Sequence, residues 1–229
     1  MKPERILAVV AHADDEVLGC GGTLARHSSE GHEVRVLAMA DGVSSRLNLD
    51  DDQRNAIYER MEFAKEGARI LGISAIEFVG YPDNQMDAVP LLEVIQRVEA
   101  YLKIFPADTV YTHHCGDLNI DHCITGRAVV TATRPLPNAC VQNLYAFEVP
   151  SSTEWRFDSG FNSFQPNFYM DISDTLDRKI EALKAYKSEV KDSPHPRSIE
   201  ACKSLARFRG SNIGMSAAEA FMLVRAIRK

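Results

Sequence analysis

Short apolar runs rich in β-branched residues recur along this chain, each followed by a segment with helical spacing, and that alternation leaves few ways to fold. The first run, starting at Ile6, gives way to a helix over Val17 to Ser29 that Gly31 stops. Glu33 to Ala40 is a second strand, and a long helix follows from about Asp51 to Leu71, closed by Gly72. Ala75 to Val79 is strand three; the helix from Val89 to Ile104 carries Leu92, Ile95, Val98 and Leu102 on one face. Asp108 to Thr112, a helix over Asp121 to Thr133 and a strand over Gln142 to Glu148 complete the pattern. Strands and helices at this spacing predict parallel βαβ units: a three-layer α/β/α, doubly wound, mainly parallel Rossmann-like sheet.

Beyond Pro150 the pattern weakens. Ser151 to Pro166 is aromatic and irregular, Asn167 to Asp171 reads as an edge strand, and helices are expected over Leu176 to Val190, Ile199 to Arg209 and Ala217 to Ile227. Two prolines stiffen the loop from Asp192 to Ser198. A chain of 229 residues with 45% apolar content suits one domain, 1–229, with a core over 1–150 and a C-terminal part over 151–229 that completes the site. A formal charge of −6 argues against a nucleic-acid partner. No run reaches the roughly 18 apolar residues of a membrane span, and the start shows no signal core, so a cytoplasmic protein is expected. Its five cysteines have no Cys-x-x-Cys spacing and read as reduced thiols.

The first strand ends abruptly in His12-Ala13-Asp14-Asp15-Glu16. Acids at a helix start are explained by its unpaired N–H groups and dipole, and Glu16 reads best in that supporting role. A helix start does not explain His12 beside three carboxylates; a bound cation does. His12 and Asp15, three residues apart across a strand-to-helix turn, can converge on one ion, while Asp14 stays uncoordinated beside a water. A catalytic zinc takes three such ligands and keeps one position open. The third must come from elsewhere. Strand four runs into His113-His114-Cys115-Gly116-Asp117-Leu118-Asn119-Ile120-Asp121-His122, and in a doubly wound sheet strands one and four commonly flank the point where strand order reverses, outside which ligands bind. Gly19-Cys20-Gly21-Gly22 is not a dinucleotide fingerprint: the third glycine position is Leu24, and acids occupy the turn where a pyrophosphate would sit. Those glycines read as close helix–sheet packing.

The two motifs together, His12-Ala-Asp14-Asp15-Glu16 and Asp117-Leu-Asn119-Ile-Asp121-His122, resemble the PIG-L/LmbE-like zinc-dependent N-deacetylases. The resemblance implies His12, Asp15 and His122 as ligands of one zinc per chain, with another divalent ion such as Fe2+ as an alternative, and Asp14 as general base. It implies N-acetylated sugars or their conjugates as substrates, contacted by Arg46 and Asp83. Ala13 replaces the family's usual proline and removes no ligand. Asn119 replaces a histidine found in many members, with Asp121 as that residue's partner; an amide donates a hydrogen bond but no proton at neutral pH. The acid is therefore expected to be His195, or second His114, with Asp121 orienting it and Asn119 donating to the oxyanion. His114 and Arg197 are further substrate-side candidates. The alternatives are an amidase on a non-sugar or thiol-conjugate amide, and a non-catalytic sugar- or nucleotide-binding protein. A homo-oligomer is compatible with the sequence.

Overall fold

Period-two alternation along the first strand sorts its side chains onto two faces. In the computed structural model, which describes residues 3–45, 51–137, 139–157 and 163–228 (51–54 by backbone only), β1 (Arg5–Val10) sends Ile6, Ala8 and Val10 to one core and Leu7 and Val9 to the other. Around it lie β2 (Glu33–Ala40), β3 (Ala75–Tyr81), β4 (Thr109–His113), β5 (Asn143–Phe147), β6 (Phe168–Asp171) and β7 (Ala218–Ala226), in the order β3-β2-β1-β4-β5-β7-β6. β1 to β5 are parallel, and β7 runs antiparallel to both β5 and β6. The expected doubly wound α/β/α sheet is present. The helices α1 (Asp15–Ser29), α2 (Asp51–Leu71), α5 (Leu176–Ala185) and α6 (Ile199–Ser211) contribute to the first core, and α3 (Leu91–Ile104) and α4 (Ile120–Ala132) to the second. Strand order reverses between β1 and β4, which are hydrogen-bonded neighbours. The loops leaving these two strands therefore open onto one crevice.

Two elements differ from expectation. Ala217 to Ile227 is read as a helix from its Ala, Glu, Met and Leu content, yet Ala218–Ala226 is a strand. Pairing on both sides, to β5 and β6, overrides that weak propensity. The helix expected to reach Val190 ends at Ala185. A turn follows in which the Glu189 amide donates to the Tyr186 carbonyl, and it delivers the side chains of Tyr186 and Glu189 into buried polar company.

α1 is broken at Cys20, which has φ −145° and ψ 19°. Such a break exposes carbonyls on one side and amides on the other. The buried pair Lys179 and Glu219, 2.5 Å apart, satisfies both: Lys179 Nζ donates to the Leu18 carbonyl, and Glu219 accepts the amides of Gly22 and Thr23. The glycines serve close packing. A Cβ on Gly19 would run into the buried Phe147 ring on β5, and one on Gly22 would stand 2.7 Å from Ile172. Gly19→Ala is expected to cost about 1–3 kcal/mol as overpacking. Denaturant unfolding checks this, and a change under about 0.5 kcal/mol, the scale of a neutral surface substitution, would contradict it.

Candidate metal and catalytic site

The loop after β1 and the first turn of α4 meet at the switch point. His12 Nδ1 and His122 Nε2 each stand 3.3 Å from Asp15 Oδ2, and the ring centroids of the two histidines are 5.4 Å apart. His12, Asp15 and His122, all buried, each offer one ligand atom, and these atoms lie within 4.8 Å of one another. Among the described residues, Asp15 Oδ1 and His122 Nε2 are buried without a hydrogen-bond partner. Unpaired buried polar atoms are costly, and a divalent cation is what this donor set fits.

Flanking carboxylates orient the imidazoles. His12 Nε2 lies 3.1 Å from both Asp83 Oδ1 and Asp121 Oδ2, so that nitrogen carries the proton and Nδ1 turns its lone pair to the cluster. Burial works against charging His12, but without a cation Asp121, Asp15 and Asp83 outweigh it and hold its pKa well above the ordinary value, and a cation on Nδ1 would take the place of that second proton. His122 Nδ1 stands 3.2 Å from Asp117 Oδ1. Asp117 in turn accepts from the Ser152 hydroxyl, from Thr153 Oγ1 at 2.5 Å and from the Asn119 amide at 2.8 Å. Burial pushes the Asp117 carboxyl up, yet His122, Ser152 and Thr153 bring it down to about 2. His113 stacks on His122 with centroids 4.0 Å apart, and its Nε2 accepts the Ala11 amide at 2.8 Å. That lone pair is therefore occupied. Burial, aided by neighbouring His122, lowers its pKa to about 4.

Asp14 sits beside the ligand group without belonging to it. Its φ of +131° is strained for a residue with a side chain, and contacts on three sides hold it. Arg60 Nη2 is 3.2 Å from Oδ1, Arg197 Nη1 donates to Oδ2 at 3.1 Å, and Glu16 Oε2 accepts the Asp14 amide at 3.0 Å. Glu189 bridges the two arginines, 2.7 Å from Arg60 Nη1 and 3.5 Å from Arg197 Nη1. The other Glu16 oxygen accepts from the Tyr186 hydroxyl. Burial raises the Asp14 pKa against the pull of Arg60 and Arg197, and burial raises Glu16 to about 7. The crevice outside is a polar cavity of about 440 Å³ whose walls include His12, Asp14, Asp83, Asn119, His195 and Arg197.

The profile of the PIG-L family, described as GlcNAc-PI de-N-acetylase, matches residues 7–133, and these contain both halves of the ligand group. The chain belongs to this family. Among its relatives, the uncharacterized deacetylase YaiS of Escherichia coli is 29% identical over 193 residues, 82% of this chain and 92% of that protein. The 4-oxalmesaconate hydratase of Pseudomonas putida is 28% identical over 195 residues, 78% of this chain and 71% of the relative. Among solved structures, the N,N'-diacetylchitobiose deacetylase of Pyrococcus horikoshii superposes with a TM-score of 0.79 at 22% identity, covering 98% of this chain and 85% of that one.

Within this PIG-L domain, His12, Asp14, Asp15 and His122 are brought together as the sequence suggests, and Asp83 and Asn119 face the same cavity. Asp121 does not pair with His195. It accepts from His12 and from the amides of Asn84 and Met86, so it fixes a metal-side imidazole and the loop beside it. Asn119 caps α4: its Oδ1 accepts the Asp121 amide at 2.9 Å, and its Nδ2 donates to Asn84 Oδ1 at 2.8 Å. One N–H of Asn119 therefore remains for a ligand. Arg197 bonds Asp14 and Ser151 and also faces the cavity. His114 packs edge-on to Phe164, centroids 5.6 Å apart, and is not part of the cavity wall. His195 is in that wall; its Nδ1 accepts the Arg197 amide at 3.0 Å. Arg46 lies outside the described residues. Sequence reasoning did not single out Arg60, Glu189, His113 or the orienting role of Asp117. Only Asp117 and His113 carried a local signal, being inside the second motif.

Proposed function

We propose that this chain is a zinc-dependent hydrolase that removes the N-acetyl group of an N-acetylated sugar or sugar conjugate of the N-acetylglucosamine type, with Asp14 as the general base. The observation that carries this reading is Asp14 itself. A buried carboxylate borders the cavity next to three ligand-type side chains, yet two arginines, not the ligand group, hold it. A purely structural metal site has no use for that residue. The family description, with its N-acetylglucosaminyl substrate, and a polar cavity suited to hydroxyl groups support the substrate class.

A divalent cation on His12, Asp15 and His122 supplies Lewis acidity for an amide carbonyl and acidifies a nearby water. Asp14 takes the proton of the attacking water. Arg60 and Arg197 keep its carboxylate in one orientation, and the Glu16 bond to its amide keeps the strained turn in place. The Arg197 amide donates to His195 Nδ1, so the neutral ring carries its hydrogen on Nε2. His195 then stabilises the oxyanion with the free N–H of Asn119, and Asp14 returns its proton to the leaving amine.

The deciding experiment is a screen of N-acetylated sugars, free and conjugated, for acetate and amine release by the zinc-loaded chain. Release from an N-acetylglucosaminide is expected. No release from any of them, alongside hydration of an unsaturated dicarboxylic or tricarboxylic acid, would favour the hydratase reading that the Pseudomonas relative suggests. His195→Ala should lower kcat by roughly 10²–10³, the effect of losing one oxyanion donor, with bound metal unchanged. An unaltered kcat would remove His195 from the reaction.

A further inference from the structure

A second group of ligand-type side chains lies at the other end of the sheet, where β1 and β2 begin. His27 and Glu30 close α1, and His32 follows the turn at Gly31, whose φ is +84°. Each offers one ligand atom, all within 4.8 Å of one another. The two rings stand 5.4 Å apart, nearly perpendicular. His27 is 9% exposed, and its Nδ1 is buried with no hydrogen-bond partner among the described residues, while its Nε2 lies 2.9 Å from the Tyr111 hydroxyl. Glu30 gives one oxygen to Arg26 at 2.9 Å, and its other stands 3.7 Å from His32 Nε2.

We infer that His27 Nδ1, the Glu30 carboxylate and His32 Nε2 form a second cation site, for Zn2+ or another divalent ion that prefers imidazole ligands. The orphaned nitrogen is the primary observation. A buried ring nitrogen without a partner is rare in folded proteins, and His27 offers a ligand atom within 4.8 Å of those of Glu30 and His32. Tyr111 supplies the outer contact that metal-bound histidines usually have: its hydroxyl lies 2.9 Å from Nε2, and in the tautomer that ligation requires Nε2–H donates to it and the lone pair is on Nδ1. The C-terminal end of α1 adds its negative partial charge. One existing bond opposes ligation. His32 Nδ1 now accepts the Glu4 amide at 2.9 Å, and binding through Nε2 moves the ring proton to Nδ1. That contact is solvent-exposed, so water replaces it. A cation here ties the last turn of α1 to the start of β2, and its binding does not depend on the reaction assigned to the other crevice.

The test is a zinc titration of the full chain after chelator treatment, followed by calorimetry. The wild type should take up two equivalents. His12→Ala/Asp15→Ala should lose one and keep the other. His32→Gln and Glu30→Gln should each lose the second equivalent, with the first and the catalytic rate retained. In the His12→Ala/Asp15→Ala background, zinc should raise the melting temperature, and adding His32→Gln should abolish that rise. A second equivalent that survives both His32→Gln and Glu30→Gln, or a wild type that saturates at the one equivalent removed by His12→Ala/Asp15→Ala, would overturn the site.

Discussion

Asp14→Asn is expected to keep its metal and lose activity by roughly 10²–10⁴, the range that a positioned general acid–base group contributes. The carboxamide is the same size, so it fits between Arg60 and Arg197 and still lets Glu16 accept the backbone amide. It has one acceptor oxygen where the carboxylate has two, and it cannot take a proton from water. The ligand atoms of His12, Asp15 and His122 are untouched, so metal content should match wild type. His12→Ala and Asp15→Ala should instead lose that metal, because each removes one of three donors. Two measurements separate the roles: metal per chain and kcat on the best substrate from the screen. If Asp14→Asn retained wild-type turnover with bound metal, the base would have to be another group. If it lost the metal, Asp14 would belong to the ligand set.

The motif holding Asp14 was legible because its signal is local. A β-branched run, an abrupt histidine and three acids can be read within a dozen residues, and the same holds for the stretch from His113 to His122. Their meeting was legible through topology, since alternation implies parallel strands and parallel strands imply a switch point between β1 and β4. What failed to show was long-range. Arg60 is a mid-helix arginine in α2, and nothing in its neighbours says that it points at Asp14, 46 positions earlier. Glu189 lies in a stretch with helical spacing whose helix stops four residues before it, because buried partners for Tyr186 and Glu189 favour the turn. β7 was misjudged for a related reason. Its Ala and Leu content speaks for a helix, and only the open edges of β5 and β6 make it a strand. The neighbours of Asp121 and Arg197 belong to the same class. Asp121 pairs with His12 where His195 was expected, and Arg197 pairs with Asp14, because spacing along a chain carries no direction for a side chain.

Arg60→Met should be the most destabilising single change at the crevice. Arg60 is 6% exposed and meets two carboxylates that are themselves almost fully buried, Asp14 and Glu189. Removing one partner from a buried ion pair leaves uncompensated charge and typically costs about 3–5 kcal/mol. At about 2–4 °C per kcal/mol for a domain of this size, the melting temperature should fall by roughly 6–20 °C. Arg197 limits the loss, since it already contacts both carboxylates. That shared contact makes the effect separable from simple loss of packing. In Arg60→Met/Glu189→Gln one surplus negative charge disappears with the arginine, so the double variant should be less destabilised than the sum of the two singles, by the 0.5–3 kcal/mol usual for groups in one network. A methionine replaces the aliphatic stem of Arg60, and the packing lost with the guanidinium is the same whether or not residue 189 carries a charge, so packing alone predicts additivity. Additive losses would therefore mean that Arg60 acts as filler. A positive coupling, with metal content unchanged, would establish that the charge of Arg60, and not its bulk, is what holds Asp14 and Glu189 side by side in a buried wall.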